Sequence, residues 1–423
     1  MIASVTPPVC VGAETGVMRT ALLLAGLAGC TDLREARQLP ASIVADARAA
    51  VDANNAFACD LYTALRGDPS PPTNMFLSPF SISTVLSMLD AGAAGATDAQ
   101  LRHALHATAN SDAIGPAYRA LLASLATGAD DGNYTLQIAD RLFGQQGFAF
   151  LPTFLAATKT DYGAELMPVD FIGDSSGATN AINTWVSDRT GGTIPTLFGP
   201  GDLDDSTRLV AADAIRFQGR WDTKFAPASP GAFHRSDGST VTAPMMTKPA
   251  DAIEMTRIPD VGTLVALPFQ GKDLSLIALL PDGGLPALEA QLTGDHLAAW
   301  LATPRHKPDS GVDVTMPKFG ITSSFDLVRA LADLGVVDAF DPVRADFSGT
   351  DGNLDLSLKR ARHEARVSFD EEGAEADVAT GTSSVTVVLE PLPIKLDHPF
   401  LFLIHDEITG AVLFIGRLGD PSA

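Results

Sequence analysis

The chain has 423 residues, 46% hydrophobic and 19% charged, a globular composition. Its 51 acidic residues against 29 basic ones leave a formal charge of −22, a field that repels phosphate backbones, so no nucleic-acid partner is expected. Cys10, Cys30 and Cys59 are too few for a disulfide framework and too irregularly spaced for a metal motif.

At the amino end, MRTALLLAGLAGC (18–30) has one basic residue, a short apolar core and small residues before Cys30. That is the layout of an export signal, and the apolar run is too short to stay in a bilayer as a span. The ending LAGC (27–30) resembles a bacterial lipoprotein cleavage box, whose cysteine becomes the lipidated first residue. On this reading Met18 is the start, because residues 1–17 carry Glu14 and no positive charge. Cys30 is then the lipid anchor and the sole link to a membrane. Thr31, where Asp often marks retention at the inner membrane, favours the outer one. A plain signal peptide or a buried leader helix is the alternative. Residues 31–43 read as a tether.

From Val44 the spacing Val44, Ala47, Val51, Phe57, Leu61, Leu65 predicts a helix ended by Gly67 and Pro69. Ser78 before Pro79 opens a second helix, and Thr97 to Gln100 form a capping box for a third that runs to about His106. His103 and His106 could share a face of that helix, but nothing beside them completes a metal site, so no metal is expected. Residues 136–143 and AELMPVDFI (164–172) predict strands, NAINTWVSDRTGG (180–192) a helix closed by glycines, and 207–217 a long strand. LSLIALLP (274–281) reads as a fully buried strand, VDVTMPKF (312–319) alternates with period two, and SSFDLVRALADLGV (323–336) reads as helical. The last stretch, 399–416, is a hairpin turning at Thr409-Gly410. Helices lead and strands come later without a linker over 44–420, which argues one large α+β domain.

For catalysis the sharpest signal is GDSSG (173–177), a Gly-x-Ser-x-Gly pattern after an expected strand and before an expected helix. It would make Ser175 a hydrolase nucleophile, with His363, His398 or His405 as the base. Against it stand Asp170 in the preceding strand and the lack of an HGGG-like oxyanion segment. No phosphate-cradling loop or dinucleotide fingerprint is present, so no cofactor is expected.

Seven blocks carry a family resemblance: NMFLSPFSISTVLSML (74–89), INTWVSDRTGGTIPTLF (182–198), AIRFQGRWDTKF (214–225), MPKF (316–319), ADFSG (345–349), EEGAEADVATG (371–381) and HPFLFLIHDEITGAVLFIGRL (398–418). In order and spacing they resemble the serpins over residues 44 to 420. The resemblance implies a single α+β domain over 44–423 with three β-sheets, about eight or nine helices and an exposed reactive-centre loop near 371–394. It implies a monomer that a target serine protease, or sometimes a cysteine protease, cleaves in that loop and to which it stays acyl-linked. The loop then enters the central sheet as a new strand, a familiar case of strand addition and released strain.

The same resemblance assigns a hinge to Glu371, Glu372, Gly373, Ala374, Glu375, Ala376, Asp377, Val378, Ala379 and Thr380. Ser78, Ser81, Asp213 and His363 fall where the central sheet would part, Trp221 near its upper end, and Lys318 opposite Glu371 as an ion pair. Asp213 stands where relatives usually carry asparagine. An Asp213–His363 contact is therefore expected to be charge-assisted and to make sheet opening pH-sensitive over the histidine range. Ala374 and Asp377 depart from the usual Thr or Ser and from an alanine run. Counting forward from Glu371 puts the scissile bond at Val387–Val388, and counting back from Pro399 puts it at Val388–Leu389. Either presents an aliphatic bait suited to elastase-like or subtilisin-like pockets.

The hinge can also be read without the family. Residues 372–390 contain no proline, so every amide is available to a ladder. Ala374, Ala376, Val378, Thr380 and Thr382 share one face of a strand, and Glu375 and Asp377 fall on the other. A shift of one residue would bury two carboxylates. A bulky, charged or proline residue on the inward face would instead have favoured a non-inhibitory serpin acting as a binding or structural protein.

Overall fold

The computed structural model describes residues 39–107, 111–130, 132–251, 253–372 and 390–423. Cys30, the hinge from Gly373 to Thr380 and the bonds at Val387, Val388 and Leu389 lie outside them. Helix α1 (Val44–Arg66) buries Ala47, Val51, Phe57, Leu61 and Leu65, as its 3.6-residue spacing demands. Strand β1 (Met75–Leu77) leads into α2 (Pro79–Asp90), whose first turn is fixed by Ser78: its Oγ accepts the Ser81 N–H at 3.1 Å. Every residue of α2 is buried, so this short helix is the spine of the core.

Helix α3 (Gly95–Ala104) corrects the capping-box expectation. It begins before Thr97, whose hydroxyl instead accepts the Asp346 N–H, while the Gln100 side chain reaches Val337 and Asp338. Both polar groups are spent on a distant loop that local sequence could not reveal. Next come α4 (Ser111–Asp130), β2 (Tyr134–Gln145), α5 (Pro152–Tyr162), β3 (Met167–Val169) and α6 (Phe171–Arg189). The strand expected over 164–172 is only three residues long, because Asp170 caps α6 by accepting the Gly173 N–H at 2.9 Å.

Six strands come next: β4 (Leu209–Gly219), β5 (Ala226–His234), β6 (Thr240–Asp251), β7 (Glu254–Ile258), β8 (Gly262–Pro268) and β9 (Leu274–Pro281). Two short helices, α7 (Leu285–Glu289) and α8 (Gly294–Ala302), precede β10 (Val312–Pro317), β11 (Phe319–Asp326) and α9 (Leu327–Asp333). The helix expected over 323–336 is thus half strand: residues 323–326 pair with the long strand β12 (Leu358–Phe369), and Asp326 then caps α9. The one-turn α10 (Ser348–Asp351) lies between them, and β13 (Leu392–Lys395), β14 (Phe400–Asp406) and β15 (Val412–Leu418) close the chain. The last two form the expected hairpin, with Gly410 at a positive φ of 84°.

The strands make three sheets, ordered β1-β15-β14-β9-β8-β7, β13-β10-β6-β5 and β11-β12-β4-β2-β3. Ten α-helical segments occur among the described residues, against the eight or nine expected; α7 and α10 have only five and four residues. Within the five-stranded sheet, β4 is buried on both faces over Leu209–Ile215. Leu209, Ala211, Ile215 and Phe217 of β4 join the main core behind it. Val210, Ala212 and Ala214 alternate to the other face and pack with Ile182 and Val186 of α6.

Phe402 of β14 is fully buried and touches the rings of Phe76, Phe319, Phe369 and Phe400, so it joins the six-stranded sheet to the five-stranded one. Phe402→Ala is expected to cost about 3–5 kcal/mol. Chemical denaturation followed by tryptophan fluorescence should show the midpoint fall; an unchanged midpoint would mean that the two sheets do not depend on this ring.

Candidate functional site

The five-stranded sheet has one long parallel pairing, between β4 and β12, with partners from Leu209–Leu358 to Phe217–Val367. Its flanking pairings, β11–β12 and β4–β2, are antiparallel. The chain leaves the top of β12 at Phe369 and continues into residues 373–389. A segment that turned back there and lay between β12 and β4 would run antiparallel to both, the better-bonded arrangement on each side.

The top of this seam is built from aromatic packing and backbone clamps. Trp221 is 1% exposed and stacks on Phe269 and Phe369 with centroids 4.8 and 5.7 Å away. Its Nε1–H donates to the Asp370 carbonyl at 2.7 Å. Gly219, at the end of β4, lies under this stack; a Cβ there would stand 2.4 Å from the Phe269 ring. Lys318 Nζ donates to Glu371 Oε2 at 2.8 Å, and the Ala228 N–H donates to Oε1 at 3.0 Å. The lysine bond first, then backbone N–H donors, hold the Glu371 carboxyl down to about 2. The pair is therefore a geometric clamp, with little stability expected from its charge at partial exposure. Between the strand ends a cavity of about 390 Å³ is lined by Gln218, Arg220, Lys224, Ser368, Asp370 and Glu372.

Midway down, Asp140, Asp213 and His363 lie abreast on β2, β4 and β12. Ser81 reaches them from α2, its Oγ standing 2.7 Å from Asp140 Oδ1 and 2.8 Å from Asp213 Oδ1. His363 is fully buried; its Nε2 accepts the Ser78 N–H at 3.1 Å, which places the ring proton on Nδ1. Nδ1 is 3.1 Å from Asp213 Oδ1 but off the line of a well-formed hydrogen bond. The expected Asp213–His363 contact is present as close approach rather than as an aligned bond. The Ser78 hydroxyl donates to the Leu413 carbonyl at 2.8 Å and ties the same turn to β15.

Asp140 was not anticipated, although a strand over 136–143 puts it on the same apolar face as Leu136, Ile138 and Leu142. The Oδ2 atoms of Asp140 and Asp213 are both inaccessible and meet no protein donor. Burial first, then the Asp213 charge, pushes the Asp140 carboxyl well above its usual range. A proton on Asp140 relieves the like-charge contact and supplies a missing donor.

The Ser175 hydrolase expectation is overturned. Ser175 lies inside α6 rather than on a strand-to-helix elbow, with Asp174 at the helix kink accepting the Gly177 N–H. The three candidate bases are engaged elsewhere: His363 by Ser78, His398 beside Asp397, and His405 beside Glu407.

Three sheets, with a central sheet closed across a parallel seam beside the strand that leads into residues 373–389, define the serpin fold. The family profile "Serpin (serine protease inhibitor)" matches residues 52–421, and the chain belongs to that family: it is a protease inhibitor rather than an enzyme. Leukocyte elastase inhibitor of Sus scrofa is 40% identical over 386 residues, covering 87% of this chain and 98% of the relative. The Homo sapiens protein of that name is 36% identical over 381 residues, again covering 87% and 98%. Among solved structures, maspin superposes with a TM-score of 0.80 at 26% identity, over 89% of this chain and 100% of that one. Uncleaved ovalbumin gives 0.77 at 25%, over 88% and 99%.

The Asp140 carboxyl sets a pH dependence with a definite sign. The unfolded chain loses this proton near pH ~4, whereas the folded chain keeps it to higher pH. Between those values the folded state holds the extra proton, so stability falls as pH rises, at a slope approaching about 1.4 kcal/mol per pH unit. Asp140→Asn supplies a donor that does not titrate. It is expected to flatten the melting-temperature profile above pH ~4 and to raise the melting temperature at pH ~7 by a few degrees. Parallel profiles for the two proteins would show that Asp140 does not set the dependence.

Proposed function

We propose that the protein is a suicide-substrate inhibitor of a serine protease with elastase-like or subtilisin-like specificity. The target cleaves the loop at Val387–Val388 or Val388–Leu389 and stays acyl-linked while residues 373–386 enter the central sheet. One observation carries the reading: β4 and β12 are long, adjacent and parallel, and the loop departs from the end of β12. An inserted strand replaces one ladder with two, and about a dozen new backbone bonds at roughly 1 kcal/mol net each would drive it. The inward row of Ala374, Ala376, Val378, Thr380 and Thr382 and the absence of proline support this. So do the aliphatic residues at the bond and the name shared by the relatives, leukocyte elastase inhibitor.

Incubation with leukocyte elastase should give an SDS-stable complex of the combined mass, and Val387→Arg with Val388→Arg should weaken that trapping at least about tenfold. Complex formation with trypsin alone would refute the specificity. Quantitative cleavage without complex, and without a gain in heat stability, would favour the second reading. That reading is a non-inhibitory serpin that binds partners, and it draws its support from Ala374 and Asp377.

The same reading covers export and attachment. Lipidation at Cys30 after removal of residues 18–29 would place the inhibitor on a membrane facing its target, with the outer membrane of a bacterium favoured. LAGC and the short apolar run before it support this. In a bacterial host, labelled palmitate should enter the wild-type chain but not Cys30→Ala; equal label in both would rule the anchor out.

A further inference from the structure

Strand β2 is paired by β4 along 134–144, but on its other side β3 covers only Phe143 to Gln145. Beside the uncovered stretch, two adjoining cavities of about 350 and 170 Å³ lie along α4 and the end of α6, sharing Leu122, Ile138 and Arg189. Together they fall within the ~300–1,000 Å³ of ordinary small-molecule sites. The larger has an apolar wall from Leu125, Ala126 and Ala129 of α4 and Leu136 of β2. The smaller is polar at its mouth, where Arg141 and Arg189 both face the Trp185 ring at 4.8 and 5.9 Å.

In a chain with 51 acidic and only 29 basic residues, these two guanidiniums have no carboxylate within ion-pair distance among the described residues. Arg141 Nη1 instead faces the Met167 sulfur at 3.8 Å, and its Nε is inaccessible with no acceptor. Burial, and next the charge of Arg189, lowers the Arg141 pKa. Two like charges over one indole, with no carboxylate paired to either and only the more distant Glu165 charge acting on Arg141, are complementary to a ligand with one anionic end and one apolar end. Asp140 at the inner wall does not oppose this in its protonated form.

We infer that the cavities between α4, β2 and α6 form a binding site for an amphipathic carboxylate, its head between Arg141 and Arg189 and its hydrocarbon chain along Leu122 and Leu125. This site shares Asp140 with the polar row of the central sheet but includes neither the loop nor a residue of β4 or β12, and its binding test does not depend on inhibition.

Calorimetric titration of the full chain with decanoate, decan-1-ol and decyltrimethylammonium tests it. Decanoate should bind once per chain below about 1 mM, and the alcohol and the ammonium at least about tenfold more weakly, a difference of ~1.4 kcal/mol. Arg141→Gln with Arg189→Gln should weaken decanoate by at least about tenfold, and Ala126→Trp, on an exposed helix position, should block it by filling the larger cavity. Thermal melts check that each variant is folded. No one-to-one binding of decanoate, or equal binding of the ammonium, overturns the site on the unmodified chain even if both variants fail to fold. Undiminished binding by the folded arginine variant overturns it too.

Discussion

The parallel contact of β4 with β12 is the constraint on which the rest of the molecule depends. Its two strands point the same way, so the chain that leaves β12 can return between them only as a strand antiparallel to both. The surrounding elements either hold the contact shut or aim the chain that departs from it. The antiparallel neighbours β11 and β2 fix its flanks, α6 covers one face, and α2 braces the other through Ser78 and Ser81.

The two ends of the arrangement use different chemistry. At the top, packing dominates: Trp221, Phe269 and Phe369 form a dry stack, and hydrogen bonds from Trp221 and Ala228 fix the backbone and the Glu371 carboxylate where the loop begins. In the middle the interior is polar, with two carboxyls, an imidazole and a serine hydroxyl in place of aliphatic side chains. A buried polar row is stable only while its donors and acceptors match, whereas an aliphatic row tolerates sliding. Closure of the sheet is therefore tied to one register and one protonation pattern.

Much of this was legible in the sequence wherever structure is local. The helical spacing of α1, the Ser78 cap of α2, the apolar run of β9 and the β14–β15 hairpin are all written in adjacent residues. The family resemblance brought Ser78, Ser81, Asp213 and His363 together from sequence, although Asp213 and His363 fall outside its seven blocks, and likewise Lys318 with Glu371. The failures have a common cause in long-range partners. Thr97 and Gln100 look like a capping box until a loop more than two hundred residues away takes their side chains. Residues 323–326 look helical until β12 offers a ladder, and GDSSG looks like an elbow until Asp170 starts a helix ahead of it. Asp140 had a visible sign, an acid on an apolar strand face, whose meaning required knowing that Asp213 lay abreast.

The Ser81 hydroxyl stands within hydrogen-bond reach of two carboxyls but owns a single proton. While the sheet is shut, both carboxyls are satisfied only if the second brings a proton of its own. If the strands part and water reaches Asp213, that proton loses its reason to stay. Change of shape and exchange of a hydrogen ion with the medium then become one event, and the heat of the transition would depend on the ionisation enthalpy of the buffer.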